Sequence, residues 1–123
     1  VLHHLDVRLA GPELLRVLKP GGRAAFSEPL GMNPVLGFAR DHIPYPGKNP
    51  RGADIPLTYD AVRAWGSPFS EFSYQESQLL SMLERALGRN RRFETLRAAD
   101  KVLLAHLPFL RRYCRYVLLY MTK

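Results

Sequence analysis

The segment Arg16-Val17-Leu18-Lys19-Pro20-Gly21-Gly22-Arg23-Ala24-Ala25-Phe26-Ser27-Glu28-Pro29 changes backbone type twice. Arg16-Val17-Leu18 closes an apolar helical stripe, and Lys19-Pro20-Gly21-Gly22 stops that helix and turns the chain. Arg23–Glu28 then reads as a strand that Pro29 terminates, because proline cannot donate to a ladder. Upstream, Gly11-Pro12-Glu13 predicts the helix start, with proline in the first turn and Glu13 at the positive end of the dipole. Leu14, Leu15, Val17 and Leu18 form its apolar stripe, with Glu13, Arg16 and Lys19 pointing away. Val1-Leu2-His3-His4-Leu5 reads as the end of a preceding strand. The order strand end, helix, tight turn, strand is a βαβ signature and implies a parallel sheet.

Downstream the texture changes. Pro29, Pro34, Pro44, Pro46, Pro50, Pro56 and Pro68 break the chain into short pieces. Short helices are expected over Val35–Asp41 and Tyr59–Trp65. A loop-rich stretch of this length suits a lid or a substrate-binding insertion. Regular structure returns at Phe69. Glu71–Gln75 alternates as a strand with one buried face. Ser77–Leu87 and Phe93–Leu107 carry leucines at helical spacing, with Leu96, Ala99, Leu103 and Leu107 on one face of the second helix. In Tyr113–Thr122 the run Val117-Leu118-Leu119-Tyr120 does not alternate, which predicts an interior strand covered on both faces.

Composition fits one globular, water-soluble domain: 123 residues with 46% hydrophobic and 24% charged. No apolar run approaches the roughly 20 residues of a membrane span. The single cysteine, Cys114, excludes an internal disulfide and fits a reducing, cytoplasmic compartment. Inside an apolar run it reads as a small buried hydrophobe rather than a reactive thiol. The formal charge of +7 admits nucleic acid, anionic lipid or an acidic ligand as partner. The basic residues are scattered, apart from Arg89, Arg91 and Arg92 and then Arg111, Arg112 and Arg115. They lack the interleaved aromatics of a nucleic-acid module, so nucleic acid is not the expected partner.

Leu2-His3-His4-Leu5, Glu13, Arg16-Val17-Leu18-Lys19-Pro20-Gly21-Gly22, Phe26 and Glu28-Pro29 occur in an order and spacing that carry a resemblance. Over residues 1–33 the chain resembles the second half of class I S-adenosylmethionine-dependent methyltransferases. The nearest group is the small-molecule type that includes the ubiquinone and menaquinone biosynthesis enzymes. The resemblance implies the C-terminal half of a Rossmann-like α/β fold. That is a mostly parallel sheet with helices on both faces and an antiparallel last strand inserted between its neighbours. It divides residues 1–123 into a strand-helix-strand core (1–29), a variable substrate segment (30–68) and a strand-helix-helix-strand tail (69–123). It implies methyl transfer from S-adenosylmethionine to a small-molecule acceptor. The family's glycine-rich loop and ribose-holding acid are not in this sequence, so a fragment that binds cofactor poorly alone is expected, as the start at Val1 within an apolar run also suggests. The alternatives are a basic α/β module for nucleic acid or an anionic surface, and a non-catalytic partner of a complete methyltransferase. A sheet missing its first strands would also self-associate through the exposed edge.

Ligands in open α/β sheets lie beyond the carboxyl ends of the strands. Two such ends carry the candidate residues. At the first, the resemblance places Leu2, His3 and His4 beside the cofactor, and His3 or His4 can serve as general base where the acceptor must lose a proton. A metal site on this pair is not expected, because neighbours on a strand face opposite ways. At the second, Glu28 can orient a substrate hydroxyl or amine, or cap a turn, and Asn33 follows on the substrate side or as a turn residue. His42, Tyr45, Tyr59 and Trp65 are candidates for an aromatic substrate wall or for anchors that pin the segment.

Overall fold

Helix and turn chemistry sets the first third of the chain. The computed structural model describes residues 1–44, 55–83 and 93–123. Leu2–His4 is a short 3-10 turn, not a strand end. Helix α1 (Val7–Val17) begins a full turn before Gly11-Pro12, because the Asp6 carboxylate accepts the Arg8 amide at 2.8 Å and caps it there. Pro12 therefore sits inside the helix, on its exposed side. There its ring removes one helical hydrogen bond. Val7, Ala10, Leu14, Leu15 and Leu18 pack on the core, while Val17 stays 58% exposed. The Lys19–Gly22 turn follows, with Gly21 in the left-handed region at φ 70°, which a side chain would strain.

Three strands form the described sheet: β1 (Arg23–Pro29), β2 (Glu71–Ser77) and β3 (Tyr116–Thr122), in the order β1-β3-β2. Both pairings are antiparallel, with Phe26 and Tyr74 opposite Leu119. This overturns the mostly parallel, Rossmann-like sheet expected from the βαβ order. The physical reason lies at Leu2–His4. With a turn there instead of a strand, β1 has no parallel neighbour among the described residues, and its only ladder is to the returning last strand. β1 and β2 run in the same direction but are held apart by β3. The one parallel contact among the described residues is an isolated bridge, Leu30 with Leu57.

The expectation of helices on both faces also fails among the described residues. Val117, Leu119 and Met121 point into the core, whereas Tyr120, on the other face, is 45% exposed. The unbroken apolar run of β3 reflects a place between two strands, not between two helical layers. Onto the packed face come α1 and α3 (Tyr59–Gly66), whose Val62 and Trp65 join Leu2, Leu30, Leu57 and Phe69 in the core. Burying each such side chain contributes about 1.5–3 kcal/mol.

Helix α2 (Pro34–His42) starts at Asn33 and α3 at Thr58, whose hydroxyl accepts the Ala61 amide at 3.3 Å. The helix expected over Ser77–Leu87 is not found in its described part. Ser77 ends β2, and Ser81–Leu83 is a 3-10 turn. Residues 84–92 lie outside the described residues. Helix α4 (Phe93–His106) matches its expected span, but its most buried described residue is an acid, Asp100. A 3-10 turn, Pro108–Tyr113, leads into β3. No described helix is long and apolar enough to cross a membrane.

Candidate functional site

Alternation along β1 puts Ala24, Phe26 and Glu28 on the packed face, so a carboxylate is carried inward at the strand's carboxyl end. Glu28 is 1% exposed, and a buried charge persists only when it is paired and hydrogen-bonded. The Leu2–His4 turn supplies the partners. Leu2 N–H donates to Oε1 at 2.8 Å and His3 N–H to Oε2 at 3.4 Å, and the Val1 nitrogen lies 3.0 Å from both oxygens. His3 Nδ1 lies 2.6 Å from Oε2. Burial alone would raise the Glu28 carboxyl, but the hydrogen bonds from His3 and the Leu2 amide outweigh it and hold the pKa below 4.5.

The turn also corrects the placement of the two imidazoles. On a strand they would face opposite ways; here their ring centroids are 3.9 Å apart. The His3 side chain is 14% exposed, and His4 is exposed. An imidazole whose Nδ1 side rests on a carboxylate is fixed in orientation. That is the arrangement of a general base or a proton carrier. Among the described residues, no group of three or more His, Cys, Asp or Glu side chains is placed to hold a metal ion.

The remaining sequence candidates do not join this cluster. Asn33 is buried and committed to structure. Its Oδ1 accepts from Val35 and Leu36 at the start of α2, and its Nδ2 donates to the Tyr113 carbonyl at 2.7 Å. Exposed His42 stacks on Phe38 at 4.2 Å and places Nδ1 3.0 Å from the Phe38 carbonyl. Tyr45 lies outside the described residues. Tyr59 donates its hydroxyl to Glu76 at 3.0 Å, and burial with that acid raises the phenol's pKa. Trp65, 2% exposed, is core. These two are anchors rather than a substrate wall. Cys114 is fully buried, and desolvation with the nearby Glu76 and Asp100 charges pushes its thiol up to about 12, as an inert packed thiol requires.

Two buried acids were not singled out by the sequence. Glu76 stands opposite Val117 from β2, as Glu28 does from β1, so both carboxylates share one sheet face. Asp100 accepts from Leu79, Leu80 and Ser81 amides and from the Ser81 hydroxyl at 2.6–3.2 Å. The signals existed: an acid in phase with the apolar positions Phe72 and Tyr74 of β2, and an acid beside the apolar stripe of α4. No family model matches the sequence, and no curated protein or solved structure matches it either.

Proposed function

We propose that this chain is part of a methyltransferase that moves a methyl group from S-adenosylmethionine to a small-molecule acceptor. One observation supports the reading. Leu2–His4 and Glu28–Pro29, the segments that flank the resemblance, are brought together by the Glu28 carboxylate at the carboxyl end of β1. The cofactor, when bound, supplies a methyl carbon on a sulfonium that leaves as a neutral thioether.

The chain's own contribution is positioning and proton handling. The Leu2 and His3 amides are engaged by Glu28, and the His3 and His4 rings pack together beside that carboxylate. His3, oriented by Glu28, takes the proton of an acceptor hydroxyl, amine or carbon acid, and the acceptor's electron pair bonds the methyl carbon as the carbon–sulfur bond breaks. Alignment of acceptor and methyl group can account for roughly 7–11 kcal/mol of a barrier. The same reading carries a cytoplasmic location, supported by the lone buried cysteine.

The test is methyl transfer from labelled S-adenosylmethionine by the full natural polypeptide, across phenolic, amine and carbon-acid acceptors. His3→Ala should lower turnover by about 10²–10⁴ while leaving the far-ultraviolet dichroism unchanged. Glu28→Gln should move the pH profile of the reaction. A natural polypeptide that neither binds S-adenosylmethionine nor labels any acceptor would sink the reading.

A further inference from the structure

The face of the sheet opposite α1 and α3 is open at Tyr120, and the ladder register says what lies on it. Residues paired on neighbouring strands point to the same side. Arg23 and Glu71 both stand opposite Thr122, so one row across this face runs from a cation on β1 to an anion on β2. The next row is Ala25, Tyr120 and Ser73, and the one after it Ser27, Leu118 and Gln75. Arg23, Ala25, Glu71 and Ser73 are exposed, with Tyr120 45% exposed between them. An open groove of about 440 Å³ runs over the first two rows.

Neither the Arg23 guanidinium nor the Glu71 carboxylate is spent on an ion pair among the described residues. Neighbouring strands lie about 4.8 Å apart, which leaves the two charges on opposite margins of the face with β3 between them. On a chain of net charge +7, these three rows hold one positive and one negative side chain. A polyanion such as nucleic acid would ask for cations on both margins. A surface with opposite charges set equally on either side of a central strand is instead complementary to itself. A twofold axis along β3, between two facing copies, carries β1 of one over β2 of the other and keeps each row at its level. Arg23 of each copy then meets Glu71 of the other. Tyr120 meets Tyr120 at the axis, and the small Ala25 and Ser73 beside it leave room for the two rings to lie side by side.

We propose that the Tyr120 face binds a second copy of this chain, sheet against sheet, with reciprocal Arg23–Glu71 ion pairs closing its margins. Three strands of seven residues cover roughly 300 Å² per copy at the usual strand spacing and rise. That is below the roughly 800 Å² per partner of a standard interface, so the dimer belongs to the weak, transient class. The contact is separate from the His3–Glu28 cluster, which lies on the packed face, and is independent of the methyl-transfer reading.

Sedimentation velocity of the 123-residue chain, taken up to about 1 mM, is the test, and the chain should dimerise reversibly. Arg23→Glu puts acids on both margins and Glu71→Arg puts cations there. Each variant alone should therefore associate about tenfold more weakly than the parent chain. Mixing the two variants in equal amounts should restore association to the parent level, because each then meets its opposite on both margins. The double variant Arg23→Glu with Glu71→Arg should dimerise like the parent, which also shows that the exchanged side chains leave folding intact. Tyr120→Ser should weaken the contact in every one of these combinations. Pairing through a sheet edge uses main-chain groups, so single variants that associate like the parent would overturn the proposal. So would a mixture no stronger than its components, or a parent chain that stays monomeric throughout.

Discussion

Glu28 shows how much one side chain organises. Its carboxylate ties the Leu2–His4 turn to β1, accepting the Leu2 and His3 amides and lying 2.6 Å from His3 Nδ1. Folding lowers its pKa from 4.5, so the ionised pocket contributes stability above that value and loses it as pH falls through the lower folded value. Glu28→Gln should cost about 1–3 kcal/mol at neutral pH, the range for a buried hydrogen-bonding group left mismatched. The difference between the two proteins should shrink as the solution is acidified below 4.5, as read by urea unfolding over a pH series. A gap that persists unchanged in acid would show that the carboxylate's charge is not what holds the turn.

At the scale of elements, buried acids recur as fasteners. Glu28 holds a turn, Glu76 holds the first residue of α3, and Asp100 holds the Leu79–Ser81 segment against α4. Asp100→Ala leaves three amides and a hydroxyl without their partner. It should cost about 3 kcal/mol, the upper end for hydrogen bonds to a charged group. Amide exchange at Leu79, Leu80 and Ser81 should accelerate before exchange in β3 does. Loss of protection spread evenly over the sheet would mean that α4 is not docked through this carboxylate.

For the whole molecule, the decisive contact lies between α3 and the sheet. Gly66 is buried at the end of α3, and a Cβ there would collide with the Phe72 ring of β2. Gly66→Ala should therefore lower stability by about 1–3 kcal/mol through overpacking, and pairing it with Phe72→Leu should recover part of the loss. Thermal melts of the two single variants and the double variant measure this directly. β1 and β2 are both edge strands of the described sheet. The chain of these residues should self-associate through such an edge, and sedimentation velocity over a range of concentrations checks it.

Local order was legible because it rests on local chemistry. The Lys19–Gly22 turn, β1, the helices at Pro34–His42, Tyr59–Gly66 and Phe93–His106, and the inner place of the last strand all follow from caps, breakers and periodicity. Helix α1 starts earlier than Gly11-Pro12 indicates because the Asp6 carboxylate caps more strongly than Pro12 punctuates. Strand direction differs from the βαβ expectation because Leu2–His4, apolar enough to pass for a strand, is a turn. Local backbone bonds, His4 to Val1 and Leu5 to Leu2, together with the long-range bonds to Glu28, make it a turn. The same long-range pairing gave Glu28, His3 and His4 a common site, whereas Asn33 and Trp65 are taken up by a cap and by the core. Residue order fixes which segments can become elements and which acids and imidazoles are at hand. Tertiary structure alone decided sheet direction, the covered face and the membership of each polar cluster, because buried charges choose partners by proximity in space rather than along the chain.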